Sequence, residues 1–231
     1  MYHKLSEKIS DMLTVKMAYF EKQIAYLLSE GYKFYSVEEI IILSTSKSNI
    51  SKKAVTLTFD DAYLNNMTYL LPVLKKYNLT ACIFLPVSYI GKTNIWDGGS
   101  DSIMDYGELK ACQPYFEYGL HSYSHSNLTS LSIADYEDDL AKSQVELTNQ
   151  GLSFLPALAY PFGQYPKQIN KLNEVKETMF KGGLKLAFRI GNEVNNWPLK
   201  DPFLVKRIDI QGTDSFWAFK TKVKKGKVKM F

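Results

Sequence analysis

The sequence predicts an α/β fold: a distorted (β/α) barrel of about seven parallel strands, TIM-barrel-like in plan. Two observations predict it. From Ala54 onward, short apolar runs rich in β-branched residues alternate with helical patterns, and repeated strand–helix units imply a parallel sheet with helical crossovers. The chain's polar clusters then come directly after strands, and in an α/β barrel the C-terminal strand ends share the face that carries chemistry. A length of 231 residues suits one such barrel.

In chain order, residues 16–30 read as a helix closed by Gly31, and residues 37–43 as a short second helix. Ser36 with Glu39 forms the capping box of the second. Residues 44–53 are a polar connector and the best candidate hinge. Strands follow at 55–59 and 80–85, separated by an amphipathic helix at 68–77. Asp105 caps a helix running through Gln113, and 116–120 is the next strand. Ser132 and Asp135 resemble a capping box that opens a long helix to Gln150, stopped by Gly151. Residues 157–160 form a short strand ended by Pro161 and Gly163. A helix through Phe180 stops at Gly182-Gly183, strands lie at 186–189 and 205–210, and a last helix spans 214–224. The reading is one domain, with an N-terminal segment 1–53, a barrel core 54–224 and a basic tail 225–231.

Composition supports a sizeable core, with 45% hydrophobic and 14% aromatic residues, and excludes disorder. The formal charge of +4 is mild, and much of the excess lies in the lysines of 220–229. That stretch reads as a solvated C-terminus, with attraction to an anionic wall polymer or membrane surface as the lesser alternative. The only arginines are Arg189 and Arg207, and no basic patch interleaves arginine with aromatics, which rules against nucleic acid. Cys82 and Cys112 sit in apolar surroundings and read as buried free thiols. No apolar stretch approaches the ~20 residues of a membrane-spanning helix. No signal peptide precedes Met1-Tyr2-His3, which on its face points to the cytoplasm, the alternative being a mature or trimmed chain. Oligomeric state has no signature.

Two segments carry the chemistry. Thr58-Phe59-Asp60-Asp61 places adjacent carboxylates at the end of a strand, and His121-Ser122-Tyr123-Ser124-His125 places two imidazoles four residues apart just past another. An Asp pair alone reads as a solvated turn or a helix N-cap, and a single His as a structural residue. The chain has only 3 His, however, and two of them form this one H-x-x-x-H, so the metal reading prevails. Ser122 stands where a zincin helix carries Glu, which argues against that class. Two imidazoles, one carboxylate and a spare carboxylate are the parts of a hydrolase that activates water.

These motifs, with Gly119-Leu120 before the first His, Asn127-Leu128 after the second, and Ala159-Tyr160-Pro161-Phe162-Gly163 downstream, resemble the polysaccharide deacetylases. These are carbohydrate esterase family four, the chitooligosaccharide deacetylase homology domain. The third motif and Met1-Tyr2-His3 are similar to the poly-N-acetylglucosamine deacetylase branch, in which circular permutation places the acid-bearing motif first. The resemblance implies a hydrolase of non-peptide carbon–nitrogen bonds (linear amides). It would release acetate from N-acetylglucosamine residues of a polysaccharide or oligosaccharide, such as poly-N-acetylglucosamine, peptidoglycan or a chitin-like polymer, outside the cell or at its envelope.

It further implies that Asp61, His121 and His125 hold one divalent metal ion. Zn²⁺ suits that donor set best, with Co²⁺, Ni²⁺ or Fe²⁺ as alternatives. Asp60 would be the general base, the backbone N–H of Phe162 the oxyanion donor, and His3 the general acid, the alternative for His3 being a frayed terminal residue. Tyr160, Pro161 and Gly163 would touch substrate. The chain departs from the family pattern at Ala62 in place of Gly, at Leu120 in place of Ser, and in lacking an Arg before the third motif. The Ala62 change is mild if its φ is negative. Arg207 is a hypothetical substitute that orients the base; the rival reading is a surface charge. With almost no residues before His3, the barrel is expected to be open near the N-terminus. Trp96, Trp197 and Trp217 either line a sugar or acetyl pocket or pack in the core. Two other functions fit the same residues: a metal-dependent amidase for a small acylated or cyclic amide, and an inactive carbohydrate-binding relic.

Overall fold

A computed structural model describes residues 1–226. Strands β1 (Lys4–Ser6) and β2 (Thr14–Lys16) form a small parallel pair ahead of helix α1 (Met17–Ser29). A second parallel pair, β3 (Lys33–Phe34) and β4 (Ala54–Val55), brackets α2 (Val37–Thr45). The main sheet follows: β5 (Thr58–Asp60), α3 (Leu71–Tyr77), β6 (Ala81–Leu85), α4 (Tyr106–Cys112), β7 (Phe116–Leu120), α5 (Ile133–Asn149), β8 (Ala157–Ala159), α6 (Ile169–Lys181), β9 (Leu186–Ile190) and β10 (Val205–Arg207), with α7 (Phe216–Lys225) last. Its six strands run in the order β10-β9-β8-β7-β6-β5, all parallel. This is the curled sheet with surrounding helices that the alternation predicts, with six strands in place of about seven. The residue 227–231 part of the basic tail lies outside the described residues.

The expected opening near the N-terminus is spanned by a single strand-like segment. Tyr2 bonds to β5 on one side, donating its N–H to Thr58 O (2.9 Å) and accepting from Asp60 N (3.0 Å). Beyond β10, Ile210 N donates to Met1 O (3.1 Å). His3 is thereby carried to the rim beside β5.

Side-chain parity along the strands separates two cores. Ile83, Leu85, Leu158 and Ala187 point outward into the apolar layer under the helices, which is why these parallel strands read as continuous apolar runs. Cys82, Phe84, Ala157, Ala159, Leu186, Phe188 and Val205 point inward and fill the barrel. Val37 at the start of α2 joins this inner core, and the Glu117 carboxylate accepts from Val37 N (2.7 Å) and Glu38 N (3.1 Å), capping that helix. The same parity puts Asp60 beside Phe84, and Phe84 beside Gly119. Two residues beyond Gly119, His121 is inward as well, and Arg207 follows Val205 inward.

Candidate active site

Asp60 and Asp61 end β5 and begin a turn. Both are buried, with 2% and 4% of their surface exposed, so neither is the solvated turn residue that an Asp pair suggests in isolation. Asp61 has φ +74° and donates its N–H to Phe84 O (3.0 Å). This twist swings its side chain away from that of Asp60. Ala62 follows with φ +56°. The substitution of Ala for Gly is therefore not mild on conformational grounds: an L-residue in the left-handed region costs roughly 1–2 kcal/mol.

His121 and His125 sit on the loop after β7. Ser122 (φ +61°) and His125 (φ +54°) are both left-handed, which coils the loop so that the two imidazoles converge, with ring centroids 4.9 Å apart. Two contacts fix the coil. Ser122 Oγ accepts from Ser126 N (2.8 Å), and the Asp139 carboxylate of α5 accepts from Tyr123 N with both oxygens (2.9 and 3.0 Å). Burial raises the Asp139 carboxyl to about 6, against the backbone N–H groups that favour its ionised form. Sequence reasoning missed Asp139. The signal was there, since it lies with Tyr136, Leu140, Ser143 and Leu147 on the buried stripe of α5, a place where a carboxylate needs a partner.

His121 Nδ1 donates to Ala159 O (2.8 Å), which leaves the Nε2 lone pair facing Asp61 Oδ1 at 3.5 Å. Burial above all pushes the His121 imidazole down to about 4, so it is neutral at physiological pH. His125 Nε2 approaches the same carboxylate oxygen at 3.2 Å. Asp61 Oδ1 is buried without a hydrogen bond. Burial opposes ionisation of Asp61, but His125, His121 and His3 together outweigh it and hold the carboxyl below its usual range. One ligand atom from each of Asp61, His121 and His125 falls within 4.8 Å of the others. An unpartnered carboxylate oxygen facing an imidazole lone pair is repulsive by itself and attractive around a cation, so these residues fit a divalent ion. The Nδ1 bond to a backbone carbonyl is the outer contact that orients a ligating His.

Asp60 is held apart from this set. Arg207, the last residue of β10, donates Nη1 to Oδ1 (2.6 Å) and Nη2 to Oδ2 (2.7 Å), with its guanidinium 5.4 Å from the Phe84 ring centroid. Arg207 is 5% exposed, so the surface-charge reading falls. Burial pushes the Asp60 carboxyl up, yet Arg207 first, then His121 and His3, overcome it and hold the group well below the usual carboxylate range. Asp60 Oδ2 lies 3.9 Å from His121 Nε2.

The third motif forms a tight turn after β8. Phe162 (φ +58°) is 53% exposed and sets its edge against His125, with centroids 4.8 Å apart. On the other side, Trp96 stacks on His125 at 4.6 Å and 25°. Gly163 has φ +64°, and a Cβ there would meet Ile190 at 2.4 Å, so no other residue fits the turn. Tyr160 is not a substrate contact. It is fully buried, and its hydroxyl donates to Phe203 O (3.1 Å). Pro161 is buried too. Trp197 donates Nε1 to Ser48 O (2.7 Å), and Trp217 stands 64% exposed on α7, which leaves Trp96 as the tryptophan at this site. Cys82 and Cys112 are buried free thiols, as expected.

The polysaccharide deacetylase family model matches residues 47–181, a span that contains both the Asp pair and the two histidines. The chain belongs to the polysaccharide deacetylase family. A polysaccharide deacetylase relative from Bacillus subtilis (strain 168) is 28% identical over 174 residues, covering 75% of this chain and 59% of the relative. The chain thus spans little more than half of that protein. The poly-β-1,6-N-acetyl-D-glucosamine N-deacetylase of Staphylococcus aureus (strain MSSA476) is 28% identical over 214 residues, covering 90% of this chain and 71% of the relative. Among solved structures, IcaB from Ammonifex degensii aligns with TM-score 0.79 at 21% identity over 96% of this chain and 93% of that one. The Streptococcus pyogenes deacetylase PplD aligns with TM-score 0.77 at 21% identity over 99% and 96%. These two likenesses carry the fold. Polysaccharide deacetylases of this family use a divalent metal ion, and Asp61, His121 and His125 form the candidate site for it here. Among the described residues no helix is long and apolar enough to cross a membrane.

Proposed function

We propose that this chain is a metal-dependent N-deacetylase that hydrolyses the acetamido group of N-acetylglucosamine residues in a polysaccharide, releasing acetate. The observation that carries the reading is the division of labour at the site. Three convergent donors, Asp61, His121 and His125, face one point, and a second carboxylate, Asp60, is clamped beside them by Arg207. The donor set suits Zn²⁺, with Co²⁺, Ni²⁺ and Fe²⁺ as alternatives. A divalent ion bound there supplies Lewis-acid activation of water and polarisation of the acetyl carbonyl.

The protein's own groups do the rest. Asp60 takes the proton of the attacking water; both its oxygens are bonded to the guanidinium, but each keeps a further lone pair. Arg207 lowers the basicity of Asp60 and in exchange keeps it ionised and oriented at every physiological pH, which suits a nucleophile already acidified. The Phe162 N–H, at the exposed left-handed turn beside His125, faces the oxygen that gains charge as the carbonyl becomes tetrahedral. His3 gives its proton to the departing sugar nitrogen as the carbon–nitrogen bond breaks. The pairing of Tyr2 with β5 brings His3 to the rim beside Asp60.

Three measurements test these assignments. Protein stripped by a chelator is expected to release no acetate from N-acetylglucosamine oligomers until a divalent ion is restored. The His125→Ala variant is expected to lose most of its metal by elemental analysis. Chelator-insensitive release, or full metal content in the variant, would end the metal assignment. The His3→Ala variant is expected to lower kcat about 10²-fold or more, the low end for a general acid, with metal content unchanged. Wild-type turnover would return His3 to a structural role.

A further inference from the structure

Next to the Phe162 turn runs a groove of about 510 Å³ that none of the assigned roles uses, within the size range of small-ligand sites. It adjoins the third-motif turn: Gly163, the residue after the proposed oxyanion donor, forms part of its wall. Asn127 Nδ2, on the loop just past His125, donates to Gln164 Oε1 (2.8 Å) and ties the two walls together. A polymer whose reacting sugar sits over Asp61, His121 and His125 and whose chain runs past the Phe162 turn would place a neighbouring sugar in this groove.

The groove's charge is one-sided. Lys167 and Lys171 line it, and among the described residues no acidic one does. Lys171 Nζ donates to Thr129 O (2.8 Å) across the groove, which holds the ammonium in place and leaves two of its N–H donors free. Lys167 Nζ lies 3.4 Å from the Tyr165 ring centroid, and the Arg189 guanidinium carbon stands 5.1 Å from the same ring, so cations gather on the one aromatic surface a sugar would otherwise use. On α6, Glu177 pairs with Lys181, and exposed Glu174 lies one turn beyond Lys171 but does not line the groove. A neutral acetylated sugar gives these cations nothing to neutralise, and a glucosaminium left by an earlier deacetylation is repelled by them.

We propose that this groove is a subsite for a neighbouring sugar bearing an anionic substituent, a carboxylate or a phosphate. The proposal rests on the deacetylase reading for the sugar that reacts, and it makes the protein a deacetylase that favours anionic over neutral glycans. One exposed and one half-buried charge acting on one anion change affinity by about threefold to tenfold at low ionic strength, an effect that salt screens.

The test is calorimetric binding of four hexamers to the metal-reconstituted protein in low and high salt. These are neutral N-acetylglucosamine, the same backbone with lactyl carboxylates on alternate units, the same with 6-phosphates, and a half-deacetylated form. At low salt, either or both anionic hexamers are expected to bind about threefold to tenfold more tightly than the neutral one, and the half-deacetylated hexamer more weakly. Whichever anion gains identifies the substituent. In Lys167→Glu/Lys171→Glu the order is expected to reverse; should that variant not fold, the exposed Lys167→Gln change alone is expected to reduce the preference. Equal affinities for neutral and anionic hexamers in the wild type, an unchanged order in a folded variant, or no binding of any hexamer would overturn the subsite. Binding is read separately from acetate release. Release from the neutral hexamer with equal affinities removes the subsite and leaves the deacetylase, whereas the expected order without any release does the opposite.

Discussion

In Asp60→Asn, acetate release is expected to fall about 10²–10⁴-fold, the range for losing a positioned general base, while the protein keeps its metal. Asp60 is the carboxylate whose two oxygens are occupied by Arg207, whereas the free oxygen facing both imidazoles belongs to Asp61. An amide at position 60 keeps one acceptor for the guanidinium and turns an N–H₂ group toward the other nitrogen, so it preserves the volume but neither the basicity nor the full ion pair. Some stability is lost as well, because a buried guanidinium is left with half of its partner. The rate must therefore be compared well below the variant's unfolding midpoint. Elemental analysis separates the two aspartates: Asp60→Asn retains the ion, and Asp61→Asn loses it. Full acetate release in Asp60→Asn, or metal loss equal to that of Asp61→Asn, would show that the roles have been assigned to the wrong carboxylates.

The strand–helix alternation is legible in the chain because parallel strands sheathed by helices are apolar on both faces and helices are periodic; β6, β7 and β9 stand at or within a residue of where the pattern puts them. The pairs β1–β2 and β3–β4 were missed, since two- and three-residue strands show no alternation to read. The meeting of the Asp pair with His121 and His125 was legible from residue type and from position after strands, whereas the choice of Asp61 over Asp60 as the ligand came from the family resemblance. What fixes their directions was not. The left-handed φ values of Asp61, Ala62, Ser122 and His125 fall on residues that do not announce them, as a glycine would. Asp139 acts across 16 positions and Arg207 across 147, and contacts of that range leave no local pattern. Arg207 did carry one clue: it keeps inward parity with Val205 in β10, and a charge on the inside of a barrel has to find a partner. Tyr160 misled for the converse reason. It lies inside the motif, yet its ring belongs to the core, so the motif marks the turn and not the side chain.

The Arg207→Leu variant is expected to lose about 3–5 kcal/mol of stability at neutral pH, the range for removing one partner of a buried ion pair. That is a large share of the ~5–15 kcal/mol a domain has. The sign of its pH dependence distinguishes this cause from a packing defect. In the wild type, Asp60 titrates below its unfolded value near ~3.9, since the guanidinium and the imidazoles overcome burial. Its contribution is fully present above that value and is lost only as pH falls through the depressed one. Without Arg207 the largest opposing influence is gone, burial dominates, and the carboxyl rises above its unfolded value. A raised carboxyl reverses the slope: the folded state then binds the extra proton, and the deficit shrinks as pH falls from 8 toward 5. Urea unfolding of the metal-free proteins at both pH values reads this directly. A deficit under about 1 kcal/mol, or one that stays equal at the two pH values, would mean that Arg207 is not carrying the Asp60 charge. Arg207→Lys is expected to restore part of the stability and less of the activity, because an ammonium supplies the charge without the planar fork that fixes both oxygens. The double variant Asp60→Asn/Arg207→Leu, which leaves no buried charge in the pair, is expected to be more stable than Arg207→Leu alone and to remain inactive. The pair would then be retained for orienting and ionising the base, since a neutral pair holds the barrel together at lower cost.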